Sequence, residues 1–489
     1  MFSCFASSVR PPRGIMATLL ILATIPAASA NERTASTLDF DERFTGRSLR
    51  WDYFHSGTAG EERFSLDRFR LEGAWPGSRH RLIDDTNLGK YLFEMRDAES
   101  GSLLYSRGFA SIFGEWKTTG EAGKGRWRTF HESQRMPEPK VPVRLLLLER
   151  NAEGHFRKIH EESLDPASRF VDRSALPRVG SVREIFVHGP SAAKVDLLVI
   201  GDGYSAGDRY KFHRDVRRLT SALFETEPFR RRKNDFNLRM IFVPSYDSGI
   251  SDPRRGEWKS TALGLSFNAF DSDRYVLTYE NADLREIAAQ ASYDTLMVIF
   301  NNRKYGGGGI FNLWATSSAD TEPAAYVFIH EFGHSFAGLA DEYYSSQVAY
   351  EDFTPKGSEP WEPNITALLE PDELKWKDLV AENTPLPTPW DQAAFDEISR
   401  RYQQERKKIA ASGSDEEMEA LFRKVKAVTA PLLDKETYAE TIGAFEGAGY
   451  QAKGLYRPAV DCIMFTRNPT HFCPVCSAAI EKVIDLYTR

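Results

Sequence analysis

Cysteine is scarce in this chain, with four in 489 residues, too few for a fold stapled by disulfides. An excess of positive charge is missing too. Lys and Arg number 63 against 70 Asp and Glu, a net charge of −7, so no electrostatic footprint for nucleic acid is present. Beyond residue 30 no apolar run approaches the length of a membrane span. Gly201-Asp202-Gly203 follows an apolar run but lacks both the Walker lysine and the dinucleotide-binding glycine spacing, which leaves a phosphate-loop reading weak. What remains is the composition of an ordinary globular protein, 41% hydrophobic and 27% charged, long enough for two or three domains with real cores.

The first 30 residues read as a signal peptide. Arg10 and Arg13 supply a positive start, Ile15 to Ala27 an apolar stretch, and Ala28-Ser29-Ala30 a small-residue cleavage site. The expected mature chain starts at Asn31 and resides in a periplasm or outside the cell. Cys4 leaves with that segment. Cys462, Cys473 and Cys476 remain, and a disulfide from Cys462 to Cys473 or Cys476 is the default expectation for an exported chain. A structural metal site would need a fourth ligand, for which His471 is the nearby candidate.

Residues 31–170 read as a β-sandwich domain. Tyr91–Met95, Leu103–Ser106 and Val141–Glu149 are strand candidates, and Pro137, Pro139 and Pro142 mark the approach to a sheet edge. Residues 180–489 change pattern. Val195–Ile200, Phe236–Pro244 and Thr295–Asn301 predict buried strands, and Ser205–Thr226 a helix, so this part is an α/β layer. Residues 390–438 are charge-rich and helix-prone, with signs alternating as on a solvated helical face, and read as an inserted helical hairpin. It could also cover a cleft. Tyr305-Gly306-Gly307-Gly308-Gly309-Ile310 is either an edge that pairs with extended substrate or a plain loop.

His330-Glu331-Phe332-Gly333-His334 carries the most chemistry. Two histidines four apart share one helix face, one turn above the other, and can grip one Zn²⁺ from one side. The glutamate beside the first can reach a metal-bound water as general base. The apolar run Ala325–Ile329 predicts a buried helix, Gly338 a C-cap, and the acidic pair Asp341-Glu342 beyond the turn a third ligand.

These residues, with Val195–Tyr204, Ser245–Ile250, Tyr305–Ile310, the His330–Tyr344 block, Phe445–Tyr450, Gly454–Pro458, Asp461–Met464 and Phe472–Cys476, resemble the M64 family of zinc metallopeptidases, the group named after an immunoglobulin-A peptidase. The resemblance covers most of the mature chain and implies a metzincin-like catalytic domain behind the family's own N-terminal β-sandwich, with 390–438 as an insertion. It makes Met464 the methionine that packs beneath the ligands. The usual metzincin pattern places glycine three residues and the third ligand six residues after the second histidine. Gly338 comes four after His334 here, and Asp341 seven after. Asp341 is the first choice, Glu342 the alternative and Glu446 a distant third. Tyr456 is the candidate oxyanion donor because the family block places it just before the methionine turn, with Tyr343 and Tyr344 weaker candidates.

The expected activity is a secreted zinc-dependent peptidase, more endopeptidase than exopeptidase, acting on a protein or peptide substrate. The competing expectation is a secreted binding protein whose zinc site is structural or vestigial. The intact Glu331 argues against it, because a structural site has no use for a base.

Overall fold

A computed structural model describes residues 39–345 and 357–488. The expected signal segment, its cleavage site and Cys4 lie outside the described residues. Among them, no helix is long and apolar enough to cross a membrane.

Eight strands build the N-terminal part: β1 (Phe44–Gly57), β2 (Glu62–Ala74), β3 (Tyr91–Asp97), β4 (Leu103–Phe109), β5 (Arg128–Pro139), β6 (Val143–Arg150), β7 (Phe156–Leu164) and β8 (Val171–Asp172). They form two four-stranded sheets, ordered β5-β1-β2-β8 and β4-β3-β6-β7. Trp51, Phe69 and Leu71 of the first sheet and Phe93, Met95 and Leu145 of the second share one buried core, as facing layers of a sandwich do. Pro137 and Pro139 fall in β5, an edge strand, where a missing N–H costs no ladder bond.

A six-stranded mixed sheet follows, ordered β13-β14-β12-β10-β11-β9, from β9 (Ser181–Phe186), β10 (Val195–Asp202), β11 (Phe236–Phe242), β12 (Thr295–Phe300), β13 (Gly307–Ile310) and β14 (Trp314–Ser318). The inner four strands are parallel, and β9 and β13 run antiparallel at the two edges. Every residue of β10 is buried, which explains its unbroken apolar run. Asp202 at its end accepts from the N–H groups of Leu263 and Leu265, each at 3.0 Å. The Gly-Asp-Gly turn therefore anchors a loop of this chain and is no phosphate cradle.

The two parts share a core. Phe113, Trp116 and Phe130 from the N-terminal part pack in one cluster with Leu198, Ile200 and Ile241 of the mixed sheet. The described residues form one compact unit. The helix carrying the two motif histidines spans Ala324–Ala337 and lies on β13 and β14. The helical hairpin expected from sequence is present as Gln392–Ser412 and Asp415–Leu433. Asp391 and Ser414 cap its helices, accepting from Ala394 N–H at 3.0 Å and Glu417 N–H at 3.2 Å, and Gly413 turns between them at φ 74°.

Candidate metal centre

The motif helix ends where Gly338 takes φ 62°, a conformation that glycine adopts without strain. A side chain would also collide with the Trp361 ring, 2.8 Å from where its Cβ would stand. The chain then turns back and Asp341 reaches the histidines. His330 Nε2 stands 3.1 Å from His334 Nε2 and 3.0 Å from Asp341 Oδ1, and His334 Nε2 stands 3.3 Å from the same oxygen. Donors about 2.0–2.1 Å from one tetrahedral ion stand about 3.3–3.4 Å apart, so the three atoms outline the face of such a site. The extra residue before the turn lengthens the helix and leaves the return of Asp341 intact.

Each ring is held from behind. His330 Nδ1 donates to Ile463 O at 3.1 Å and His334 Nδ1 to Leu339 O at 2.5 Å. That leaves both Nε2 lone pairs facing the carboxylate. Three acceptor atoms at these distances repel unless a cation or proton lies among them. Burial alone would lower the pKa of His334, but the adjacent Asp341 outweighs it and raises the value to about 9. Burial would raise Asp341, yet the two rings hold it well below the ordinary carboxylate range. A proton and a divalent cation therefore compete for the same place. The donor set of two imidazoles and one carboxylate fits zinc.

Met464 is fully buried. A methyl group on Gly333 would come within 3.3 Å of its sulfur, so Met464 packs against the motif helix. Glu331 forms part of the wall of a cavity of about 580 Å³ that also takes in His330, His334, Asp341, Tyr343 and Tyr450. Burial raises the Glu331 pKa, against the pull of the two histidines. The glycine run lies beside it as edge strand β13, not as a loop. A Cβ on Gly309 would stand 2.4 Å from Glu331 O, and one on Gly307 would stand 3.0 Å from Glu331 Cγ. Only glycine lets this strand lie so close to the helix.

Three expected residues fall elsewhere. Tyr456 is not among the residues lining the cavity; it sits in strand β16 (Gln451–Arg457) opposite Glu446 of β15 (Phe445–Ala448). Its backbone also bridges to Thr366, outside the hairpin, donating to Thr366 O at 2.8 Å and accepting from Thr366 N–H at 3.0 Å. Glu446 pairs with exposed Lys453 at 2.8 Å. Glu342 turns away from the histidines, with Oε1 3.3 Å from Cys476 Sγ. Successive side chains of an extended stretch point to opposite sides, so the acidic pair divides between two places.

Several residues at the site carried no role in the sequence reading. The Tyr450 hydroxyl donates to Asp341 Oδ2, and the Tyr326 hydroxyl donates to Ile463 O at 3.1 Å. Asn364 clamps the returning turn, accepting from Ala340 N–H at 2.7 Å and donating to Ala340 O at 3.0 Å. Arg274 donates to the Tyr343 hydroxyl at 3.1 Å. Tyr450 lies within the block that carries the family resemblance, the one signal that could have found it. The hairpin supplies Tyr402, Phe422 and Val425 to the cavity wall, and the N-terminal sandwich supplies Lys90, Tyr91 and Glu149.

A paired histidine helix, an adjoining glutamate and a returning carboxylate on one cavity form the arrangement of a metal-dependent hydrolase. The model of the IgA Peptidase M64 family matches residues 184–484, and that of the peptidase M64 N-terminus matches residues 39–161. The chain belongs to the IgA Peptidase M64 family, a family of peptidases, so proteins are its class of substrate. No curated protein matches it.

Proposed function

We propose that this chain is an exported zinc endopeptidase with His330, His334 and Asp341 as metal ligands and Glu331 as general base. The observation that carries the reading is the convergence of two Nδ1-anchored imidazoles and one carboxylate within 3.3 Å of one another on the wall of an open cavity. Zinc held there would supply Lewis acidity and make the attacking water more acidic. Glu331 takes a proton from the attacking water and passes it to the leaving amine, and its raised pKa suits it to both acts. Tyr343 and Arg274, joined at 3.1 Å on the same cavity, take the place of Tyr456 as donors to the developing oxyanion. Tyr450 holds the carboxylate of Asp341 in orientation.

The endopeptidase reading rests on β13. Gly307 already uses its outer edge, donating to Arg274 O at 3.2 Å and accepting from Val276 N–H at 3.1 Å. Gly309, two residues along, turns its backbone to the same edge beside His334, where an extended substrate can add as a strand. Export rests on the charge, apolar run and small-residue site of residues 10–30.

Elemental analysis of the full chain and of His334→Ala, with hydrolysis of casein in parallel, tests the reading. Zinc bound by the wild type and lost at this site in the variant, together with loss of hydrolysis, is the expected result. Equal hydrolysis by both proteins would overturn it.

A further inference from the structure

Glu342 is fully buried, and its Oε2 has no hydrogen-bond partner. A buried carboxylate left so is costly. Around it stand Cys462, Cys473 and Cys476, all buried and all unbridged, with one ligand atom from each of the four within 4.8 Å of the others. The expected disulfide is absent: Cys462 Sγ and Cys476 Sγ are 3.8 Å apart, against about 2.05 Å for a bond. Two sulfurs each about 2.3 Å from one tetrahedral zinc stand about 3.8 Å apart, and a sulfur and a carboxylate oxygen on it about 3.5 Å apart. The Cys476–Glu342 distance is 3.3 Å. His471, the fourth ligand that sequence suggested, is exposed.

We propose that Glu342, Cys462, Cys473 and Cys476 form a second, structural zinc site, separate from the one on the motif helix. Four protein ligands leave no open position, which is the mark of a structural site. The surroundings are built for thiolates. Cys473 N–H points to Cys462 Sγ at 3.3 Å and Cys476 N–H to Cys473 Sγ at 3.5 Å. Cys473 immediately precedes the helix Pro474–Thr488, whose N-terminus favours negative charge. Three thiolates and a carboxylate exceed the charge of one divalent cation, and buried Arg457 lies close enough to act on both Glu342 and Cys462. Asn364 fixes the carboxylate, donating to Glu342 Oε1 at 2.9 Å. Binding releases the thiol protons and transfers no electrons.

The site would tie together the two segments beneath the motif helix. Glu342 follows Asp341, Cys462 precedes Met464 by two residues, and Glu342 N–H already donates to Met464 O at 2.9 Å. Metal at the cysteines therefore fixes the turn that presents Asp341.

The test uses the mature chain from Asn31, which lacks Cys4, loaded with zinc or cobalt. Wild type is expected to hold about two zinc per chain, and His334→Ala about one. The cobalt form of His334→Ala should keep near-ultraviolet thiolate-to-cobalt charge transfer, and that of Cys476→Ser should lose it. Alkylation of denatured, chelated but unreduced wild type should label all three cysteines, a readout that needs no variant to fold. A wild type without thiolate-to-cobalt charge transfer, or with a disulfide that leaves a single cysteine to alkylate, would overturn the second site. About one zinc in wild type, retained in His334→Ala with the charge-transfer band, would instead sink the motif-helix site and leave this one standing.

Discussion

In the proposed metal site His330 and His334 supply two corners, and the third, Asp341, depends on one hydroxyl. Asp341 Oδ1 faces the imidazoles while Oδ2 accepts from Tyr450. Removing that hydroxyl frees the carboxylate to rotate. Tyr450→Phe should weaken metal binding about 10–100-fold, read by competition with a chromogenic chelator, with the phenyl ring keeping the packing. Unchanged affinity would remove Tyr450 from the ligand's support. Glu331 is separable from binding. Glu331→Gln preserves shape and should keep its zinc while turnover falls by about 100-fold or more; full activity would defeat its assignment as base. The shared face of His330, Glu331 and His334 was legible because helical spacing fixes where they point, and the return of the chain because Gly338 ends the helix; the position of Met464 came only with the family resemblance. The fate of Glu342 was not legible. Adjacent acids look alike in a sequence, and only the backbone after Gly338 decides which side each one faces.

At the level of elements, strands with uniform burial were the readable ones: β10, β11 and β12 appear where apolar runs predict them. The long β1 and β2 were not named from sequence, because charged residues interrupt them. Arg50 is fully buried in β1, bonded to Asp52, Glu72 and Glu286 at 2.8 Å each, so charge there marks an internal network and not a solvated face. The 390–438 hairpin was legible as helices but not as a wall of the cavity, since its cleft-facing apolar residues, Phe395, Ile398, Tyr402, Leu421, Phe422 and Val425, are scattered amid charged and polar ones. Arg467 stacks on Phe422 at 3.7 Å and Tyr305 meets it at 5.2 Å, while Arg255 pairs with Asp415 near the hairpin tip at 2.8 Å. Surface pairs of that kind contribute about 0–1 kcal/mol each, so the hairpin is held mainly by its apolar side. Replacing residues 399–429 with a short Gly/Ser linker keeps Phe395 and Leu433 in their cluster and opens the cavity. Hydrolysis of casein should rise relative to a short peptide, at unchanged zinc content. A fall in both activities together would show that the hairpin organises the site instead of restricting access.

Across the whole molecule, the two segments matched by separate family models fold as one body, because Phe113 and Trp116 sit in the core of the mixed sheet. His55 couples the sandwich to that core. Its ring lies between Phe64 and Phe113, with centroids 4.1 and 3.9 Å away. Its nitrogens meet Glu62 at 2.9 Å and Glu132 at 3.0 Å, and Glu132 also accepts from Phe113 N–H at 3.1 Å. Burial opposes charge on the ring, but the two carboxylates outweigh it and raise the pKa above 6.5. A group raised on folding contributes stability that is fully present below its unfolded pKa, about 6.5. That contribution is lost as pH climbs through the raised value, where the neutral ring can donate to only one of the two acids. His55→Gln cannot titrate and should cost about 3–5 kcal/mol at pH 6, as breaking a buried pair does. Thermal unfolding of both proteins from pH 6 upward should show their difference shrinking as the wild type deprotonates. A difference independent of pH would mean that His55 contributes packing alone, and that the charge between Glu62 and Glu132 does not hold the sandwich to the sheet.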